Sequence, residues 1–262
     1  MSGRSIVGVV LVRNEDIYLG AALEAAGEFC DEFLLFDHGS RDGSGGILRD
    51  FAARHGRAVV REIEHPRESH EALLGYCGRD VWVFGVDGDE VYDRQRLAVL
   101  RRRLLAGEFD DYWMVMGHCL HVVEVAGGEA VGYAAPPSRS VTKLYNFAAI
   151  EGWPGRSVER LHGGRPVFRR GFDAGKKLQY FQEVGWEESD MRCLHLCFCR
   201  RSSLDKEAGA GRANIDEIYN GWLPAWAAKM LHGWVGRGSK WKRERYMRGE
   251  LVRCPTGPFL GK

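Results

Sequence analysis

The most constraining feature of the sequence is a short apolar run that ends in three carboxylates. Val81–Val86 carries no charge, and Asp87, Asp89 and Glu90 follow it. An apolar run of this length predicts a strand buried on both faces of a parallel sheet. Because open α/β sheets bind ligands beyond the carboxyl ends of their strands, the carboxylates are expected at a ligand site. The alternative is an acidic turn after a core strand.

Apolar runs alternate with helix-like segments through the first 110 residues. Asn14, Glu15 and Asp16 are predicted to cap the first helix and to form its first turn. Alternating strands and helices indicate βαβ units and a mainly parallel sheet, and therefore the α/β class. The predicted strands are 6–12, 33–36, 58–63 and 81–86, and the predicted helices are 14–29, 44–56, 66–78 and 93–106.

The character of the chain changes after residue 110. The pattern predicts strands at 112–125, 141–147 and 191–200, and then helices at 203–219 and 223–234. Three regions follow from this: 1–110, then 111–202 within the same compact domain, and a C-terminal helical extension at 203–262, rich in tryptophan and basic residues.

Composition narrows the function classes. A chain of 262 residues with 45% hydrophobic residues can bury a core, and a net charge of +1 gives no global attraction to nucleic acid. No run of about 20 apolar residues is present to span a membrane, and segment 6–12 lacks the features of a signal peptide. Seven irregularly spaced cysteines favour reduced thiols and a cytoplasmic location.

Polar residues follow each of the four predicted strands of the first half. Since the carboxyl ends of parallel strands share one edge of the sheet, these groups are expected together, where a nucleotide site forms. The glycine patterns of dinucleotide-binding and P-loop sites are absent, so neither of those sites is supported. The groups are Arg13, Asn14 and Glu15; Asp37, Ser40 and Asp42; Arg67 and His70; and Asp87, Asp89 and Glu90.

The order of these motifs resembles the family 2 glycosyltransferases of the GT-A fold. Segments 12–15, 37–44 and 86–90 carry the resemblance. The second is similar to the family's Asp-x-Gly-Ser-x-Asp-Gly-Ser/Thr signature, and the third to its Asp-x-Asp motif. The resemblance covers roughly the first 95 residues. A fainter one continues at 194–196 and 200–202, where some branches place a His and then an Arg/Lys-Ser pair.

The resemblance implies a GT-A-like (Rossmann-like) fold: a mixed, mainly parallel sheet flanked by helices, with a C-terminal acceptor region that ends in helices. Residues 1–110 would form the half that binds the nucleotide sugar, and 111–202 the acceptor and catalytic half. The implied activity is metal-dependent transfer of a sugar from a nucleotide-diphosphate sugar, with a UDP-sugar favoured, to a glycan, lipid-linked or other hydroxyl acceptor.

The resemblance also implies the site residues. Asp89, with Asp87 and His195, would hold Mn²⁺ or Mg²⁺ on the diphosphate, since these cations prefer carboxylate and phosphate oxygens. Asp89 is expected to contact the cation directly, Asp87 to face the ribose or a metal-bound water, and Glu90 to brace the turn. The donor nucleotide would be bound by Arg13, Asn14, Glu15, Asp37, Ser40, Asp42, Arg67, His70 and Asp87.

An inverting transferase needs a base that accepts the proton of the acceptor hydroxyl, whereas a retaining one does not need it at that position. Glu159 follows the 141–147 strand and is similar to the Glu of a His-Glu pair in some relatives, although Val158 stands where they have His. Glu188 and Asp190 precede the His195 strand. Glu159 is favoured over these two. The alternative for each is a solvated acidic loop.

A zinc site is an alternative for His195. Strand alternation would place Cys193, His195, Cys197 and Cys199 on one face, and zinc binds Cys and His. Their spacing matches no common closed zinc pattern, and Cys254 stands apart. A semi-buried structural histidine is the third reading.

The C-terminal extension allows three readings. Trp222, Trp226, Met230 and Trp234 form one apolar helix stripe, and basic residues follow as far as Arg248. The first reading is a helix packed on the domain with a solvated basic tail. The second is a peripheral anchor at 222–248, with tryptophans at the headgroups and basic residues against anionic lipid on the inner membrane face. The third, nucleic acid, lacks any recognised binding module.

Two rival functions remain open at this stage. A sugar nucleotidyltransferase shares the α/β layout, but the first strand is not followed by the Gly-rich basic loop that would bind a triphosphate. A catalytically inactive GT-A-like scaffold would keep the sheet without needing the carboxylates.

Overall fold

The apolar runs of the first half form the centre of a mixed sheet. A computed structural model describes residues 3–134, 143–206, 244 and 246–261. The elements of the first half are β1 (Ser5–Val12), α1 (Leu19–Gly27), β2 (Glu32–Asp37), α2 (Ser44–His55), β3 (Ala58–Glu62), α3 (Glu68–Glu71), β4 (Val81–Val86), β5 (Glu90–Tyr92) and α4 (Arg94–Leu105).

The second half contributes mostly short strands. They are β6 (Met114–Met116), β7 (His118–Ala126), β8 (Glu129–Tyr133), β9 (Lys143–Asn146), β10 (Ile150–Gly152), β11 (Ser157–Glu159), β12 (His162–Gly163), β13 (Val167–Phe168), β14 (Lys177–Gln179), β15 (Arg192–His195) and β16 (Leu251–Pro255). Two one-turn helices, α5 (Tyr180–Glu183) and α6 (Gly257–Leu260), and two 3₁₀ turns, Leu74–Tyr76 and Phe147–Ala149, complete the described elements.

The central sheet has seven strands in the order β14-β6-β9-β4-β1-β2-β3. Strands β1 to β4 are parallel to one another, and β9 is antiparallel to both of its neighbours. Alternate residues of β1 belong to two different cores: Ile6 and Val10 pack with α1, α2 and α4, whereas Val7 and Val9 pack on the opposite face. This two-sided burial explains the uninterrupted apolar runs and confirms the predicted mixed, mainly parallel α/β fold.

A second sheet, β16-β8-β7-β15-β5, stands beside the first. In it His195 is opposite Glu90 on β5 and His121 on β7. The register therefore places β15 next to the carboxylates that follow β4. Residues 1–110, 111–202 and 203–262 all contribute strands to this sheet, and β16 was not predicted from the sequence.

Several predicted boundaries were wrong. The first helix begins at Leu19 rather than at 14, because Asn14 adopts a left-handed conformation with φ 56° and no side chain caps the helix. The predicted helix 66–78 is reduced to α3 and one 3₁₀ turn, Leu74–Tyr76. The predicted strand 112–125 is divided at Gly117, where a Cβ would lie 2.2 Å from the Met191 carbonyl oxygen.

The predicted strand 191–200 ends at His195, and the predicted helix from 203 begins with turns and a bend over 203–206. The rest of that helix and the predicted helix 223–234, with its tryptophan stripe, lie outside the described residues, as does nearly all of the proposed membrane contact at 222–248. Among the residues that are described, no helix has the length and apolar character needed to cross a membrane.

The close packing of β1 against β2 gives a test of the fold. A Cβ on Gly8 would lie 2.5 Å from the ring of Phe33, which is itself buried, so we expect Gly8→Ala to lower the free energy of unfolding by about 1–3 kcal/mol. Chemical denaturation measures this. Gly20→Ala is the matched control, since that Cβ meets nothing within 4 Å and alanine favours the helix. Equal stabilities of the two variants would contradict the packing.

Candidate active site

The loops that follow β1 and β2 are joined by hydrogen bonds at the sheet edge. The Asn14 N–H donates to Ser40 Oγ (3.0 Å), and Asn14 Oδ1 accepts from the Arg41 N–H (2.7 Å). The Glu15 N–H donates to Ser44 Oγ (2.8 Å). These hydrogen bonds, each from a backbone N–H to a side-chain oxygen, hold together three residues of the predicted donor set: Asn14, Glu15 and Ser40.

Asp37 and Asp42 fix the second of these loops. Asp37 is buried at the end of β2, and its Oδ1 accepts from the Ser40 N–H (2.8 Å). Asp42 accepts from the Ser44 N–H (3.0 Å) and from the Ser202 hydroxyl (2.6 Å). Burial alone would raise the pKa of Asp42, but the hydrogen bonds from Ser202 and Ser44 lower it below its ordinary value, so the group is a carboxylate.

Asp89 lies at the centre of a buried charged cluster. Its Oδ2 accepts from Arg201 Nη1 at 2.6 Å, and the same nitrogen lies 3.3 Å from Glu15 Oε1. His195 Nε2 lies 3.8 Å from Asp89 Oδ2. Burial would lower the pKa of Arg201, but the charges of Asp89, Glu15 and Cys197 raise it above its ordinary value. Asp89, Glu15 and His195, predicted from distant segments, therefore meet in one place.

Asp87 and Glu90 lie in different surroundings from Asp89. The buried Arg160 pairs with Asp87 and also donates to the Val86 carbonyl oxygen (3.3 Å). Glu90 is fully buried and accepts from the Tyr92 hydroxyl (2.7 Å). Burial, and then the charge of Asp87, raise the pKa of Glu90 well above its usual range. The three carboxylates of the turn are thus distinct chemically.

Glu159 and Asp87 both interact with Arg160. Its Oε2 lies 3.7 Å from Arg160 Nη1, and its Oε1 lies 3.0 Å from His162 Nδ1. The same Nδ1 lies 3.0 Å from the Arg160 carbonyl oxygen. Because both neighbours of Nδ1 are acceptors, the proton of a neutral His162 ring belongs on Nδ1, where it donates toward Glu159.

Glu188 and Asp190 are not brought to this cluster. Asp190 precedes β15, whereas His195 ends it, and an extended chain of five residues separates them by roughly 16 Å. The Asp190 carboxylate is buried and lies 2.6 Å from Arg103 Nη1 and 3.9 Å from Arg96 Nη1. Its environment is that of a structural ion pair.

The remaining predicted donor residues differ in their exposure to solvent. Arg13 is exposed at the end of β1, and Arg67 is exposed on the short α3 region, 3.8 Å from Glu71. His70 is buried with its ring edge toward Trp153, at 5.3 Å between ring centroids. Burial lowers the pKa of His70, so this side chain is neutral and belongs to the core beneath the site.

Sequence reasoning missed several residues of the cluster. Arg201 and Ser202 stood in the quoted 200–202 segment but were given no role, although a basic residue and a hydroxyl there pair with the acidic loops. Arg160 and His162 flank the predicted Glu159 and were overlooked. No local signal identifies His121, whose Nδ1 lies 2.9 Å from His195 Nδ1, because its position depends on the pairing of β7 with β15.

A comparison with models of protein families finds no match, and neither does one with curated proteins. Among solved structures, the chain is similar to TarS from S. aureus (16% identity, TM-score 0.40, covering 57% of this chain and 50% of that one). It is also similar to the mannosyltransferase PcManGT from Pyrobaculum calidifontis in complex with GDP-Man and Mn²⁺ (15%, 0.44, 74% and 57%).

A third similar structure is glucosyl-3-phosphoglycerate synthase from Mycobacterium tuberculosis in complex with Mn²⁺, UDP-Glc and phosphoglyceric acid (21% identity, TM-score 0.32, covering 45% of each chain). The matches span between 45% and 57% of the length of these three structures. At these TM-scores the similarity does not assign the chain to a family.

The contacts of Arg201 with Asp89 and Glu15 are expected to contribute to the free energy of unfolding. Arg201→Met leaves two carboxylates without the cation between them, and we expect the free energy of unfolding to fall by about 3–5 kcal/mol. Chemical denaturation at neutral pH measures the loss. Arg41→Met is the matched control, because the Arg41 side chain is exposed, and it should change stability by less than about 0.5 kcal/mol. An equal loss of stability in the two variants would mean that the contacts of Arg201 do not stabilise the fold.

Proposed function

We propose that the protein is a metal-dependent glycosyltransferase that moves a sugar from a nucleotide-diphosphate sugar to a hydroxyl acceptor with inversion. The observation that carries this proposal is the meeting of Glu15, Asp89 and His195 at one buried position. The family 2 resemblance of the sequence expects these segments to act together on a donor. A UDP-sugar is the first donor to test, and glycans and lipid-linked alcohols are the first acceptors.

The residues fit a divalent cation. Asp89 Oδ2 and His195 Nε2 lie 3.8 Å apart, so a small movement of either side chain would let both hold one cation. A carboxylate with an imidazole is a donor set that accepts Mn²⁺, and Mg²⁺ if substrate oxygens complete the shell. When bound, such a cation would stabilise the negative charge that develops on the leaving diphosphate.

The chain's own residues supply the rest of the donor site. Arg201 places a fixed positive charge beside Asp89, where the diphosphate would lie, and buried charge of this kind stabilises a transition state without reorganisation. The interlocked loops of Asn14, Asp37 and Ser40 offer amide, carboxylate and hydroxyl oxygens for the ribose and base. Asp87, partly exposed beside Arg160, would face the ribose in the proposed complex.

Glu159 is the proposed base. It is the candidate connected to Asp87 through Arg160, whereas Glu188 and Asp190 belong to the other end of β15. In the proposed reaction a Glu159 oxygen accepts the proton of the acceptor hydroxyl while that hydroxyl attacks the anomeric carbon. His162, donating from Nδ1, holds the carboxylate in place.

The proposed location is the cytoplasm. The structure describes all seven cysteines, and none of them is in a disulfide, including Cys119 and Cys193, whose sulfurs lie only 3.6 Å apart. Free thiols this close together suit a reducing compartment.

Donor binding is tested by thermal unfolding. We expect a nucleoside diphosphate at about 100 times its Kd to raise Tm by roughly 5–10 °C when Mn²⁺ is present, because it binds only the native state. Without Mn²⁺ the rise should be much smaller. Asp89→Asn should remove the cation-dependent part of the rise.

Asp50→Asn is the control for that experiment, since Asp50 is exposed on α2 and should behave as the unmodified protein does. If no nucleoside diphosphate raises Tm with Mn²⁺ or Mg²⁺, the transferase proposal is wrong. A transferase should release free sugar and nucleoside diphosphate from one member of a panel of nucleotide sugars, whereas a nucleotidyltransferase should release pyrophosphate from a nucleoside triphosphate and a sugar 1-phosphate.

The base is tested by steady-state kinetics with whichever donor and acceptor that panel identifies. Glu159→Gln should lower kcat by at least about 100-fold, because the amide cannot accept the proton. His162→Asn should lower it less, since it removes only the group that positions Glu159. Glu188→Gln is the matched control and should retain most of the activity. A large loss in Glu188→Gln with little change in Glu159→Gln would reverse the assignment.

A further inference from the structure

Three side chains that bind soft metals meet beside Asp89. His121, His195 and Cys197 each present one ligand atom, and these atoms all lie within 4.8 Å of one another. All three residues are buried. Two belong to the segment for which the sequence left zinc open, and the third comes from β7, more than 70 residues earlier in the chain.

We propose that His121, His195 and Cys197 form a second metal site, which takes Zn²⁺ or a similar transition-metal cation. Imidazole nitrogen and thiolate sulfur are the ligands such cations prefer, whereas Mg²⁺ prefers oxygen. The site goes beyond the proposed function, and it shares only His195 with the cation site proposed there.

The histidine pair supplies the first two ligands. Parallel pairing of β15 with β7 sets His195 opposite His121, and their Nδ1 atoms are 2.9 Å apart. One proton lies between two nitrogen lone pairs in such a contact, and a metal cation can replace it. Two nitrogens bound tetrahedrally at about 2.05 Å lie roughly 3.3 Å apart, so only a small opening of the pair is required.

A tight turn supplies the third ligand. In a continued strand, Cys197 would lie about 7 Å along the chain from His195. Instead the Leu196 N–H donates to the Asp89 carbonyl oxygen (2.8 Å), and the Cys199 N–H donates to the Leu196 carbonyl oxygen (2.9 Å). The first bond extends the pairing of β15 with β5 by one residue, and the second forms a turn over 196–199. After this turn the Cys197 sulfur lies within 4.8 Å of a ligand nitrogen of each histidine.

The surroundings support the ligands. When His195 binds a cation through Nδ1, its Nε2–H faces Asp89 Oδ2, now 3.8 Å away, and a carboxylate behind a metal-bound histidine orients the ring. The ring of Tyr246 stacks on His121, with 4.4 Å between centroids.

His195 can therefore serve two cations, but through different nitrogens. Nε2 points to Asp89, which suits Mn²⁺ with carboxylate and substrate oxygens. Nδ1 points to His121, which suits a nitrogen- and sulfur-binding cation. The identity of the metal thus follows from which nitrogen carries the proton.

Cobalt is the probe, because Co²⁺ takes the place of Zn²⁺ and reports a thiolate ligand through a charge-transfer absorption. We expect the metal-free protein to bind one equivalent of Co²⁺ with this absorption, and Zn²⁺ to displace it. Cys197→Ser should remove the absorption and weaken binding at least tenfold. The matched control is Cys199→Ser, two residues further on, which should keep both. No stoichiometric binding, or an absorption that survives in Cys197→Ser, would overturn the proposal.

Two further variants separate this site from the proposed donor site. His121→Asn should weaken Co²⁺ binding at least tenfold and leave the Mn²⁺-dependent rise in Tm with nucleoside diphosphate in place. Asp89→Asn should lose that rise but keep the thiolate absorption of bound Co²⁺, with a smaller loss of Co²⁺ affinity than His121→Asn, because the amide oxygen can still accept from His195 Nε2–H. If His121→Asn binds Co²⁺ as tightly as the unmodified protein, the cation is held elsewhere and the proposal is wrong.

Discussion

A buried guanidinium holds together three segments that are distant in the sequence. Arg201 contacts Asp89 at 2.6 Å and Glu15 at 3.3 Å, so the turn after β4, the loop after β1 and the chain beyond β15 meet at one positive charge. Removing such charges from water costs several kcal/mol per ion, and only close opposite charges offset this. The position of Asp89 consequently depends on Arg201 as much as on the strand that precedes it.

The three carboxylates of the acidic turn are neighbours in the sequence but have different surroundings in the structure. Asp87 is partly exposed and paired with Arg160, Asp89 is buried between Arg201 and His195, and Glu90 lies in the core under the Tyr92 hydroxyl. Only the first two contact a guanidinium. Glu90, whose pKa burial raises, can stabilise the turn but is poorly suited to bind a cation.

The sequence pattern predicted the central strands and helices of the fold but not the short peripheral ones. Strands such as β4 and helices such as α4 were predicted within a residue or two, because β4 is an unbroken apolar run and α4 carries its buried leucines at helical spacing. The start of α1 was missed because Asn14 bonds the neighbouring loop instead of capping a helix. Strands of two or three residues, such as β12, carry no periodic signal. His121 could not be predicted, since only the pairing of β7 with β15 brings it to His195.

The register of the second sheet decides what His195 can do. β5 places the acidic turn on one side of the imidazole, and β7 places His121 on the other. A shift of one residue in either pairing would turn these side chains to the opposite face of the sheet. In the two proposed sites, the choice of cation would therefore depend on more than the Asp-x-Asp sequence. It would also depend on two short strand pairings, because they fix which atom faces each nitrogen of one histidine.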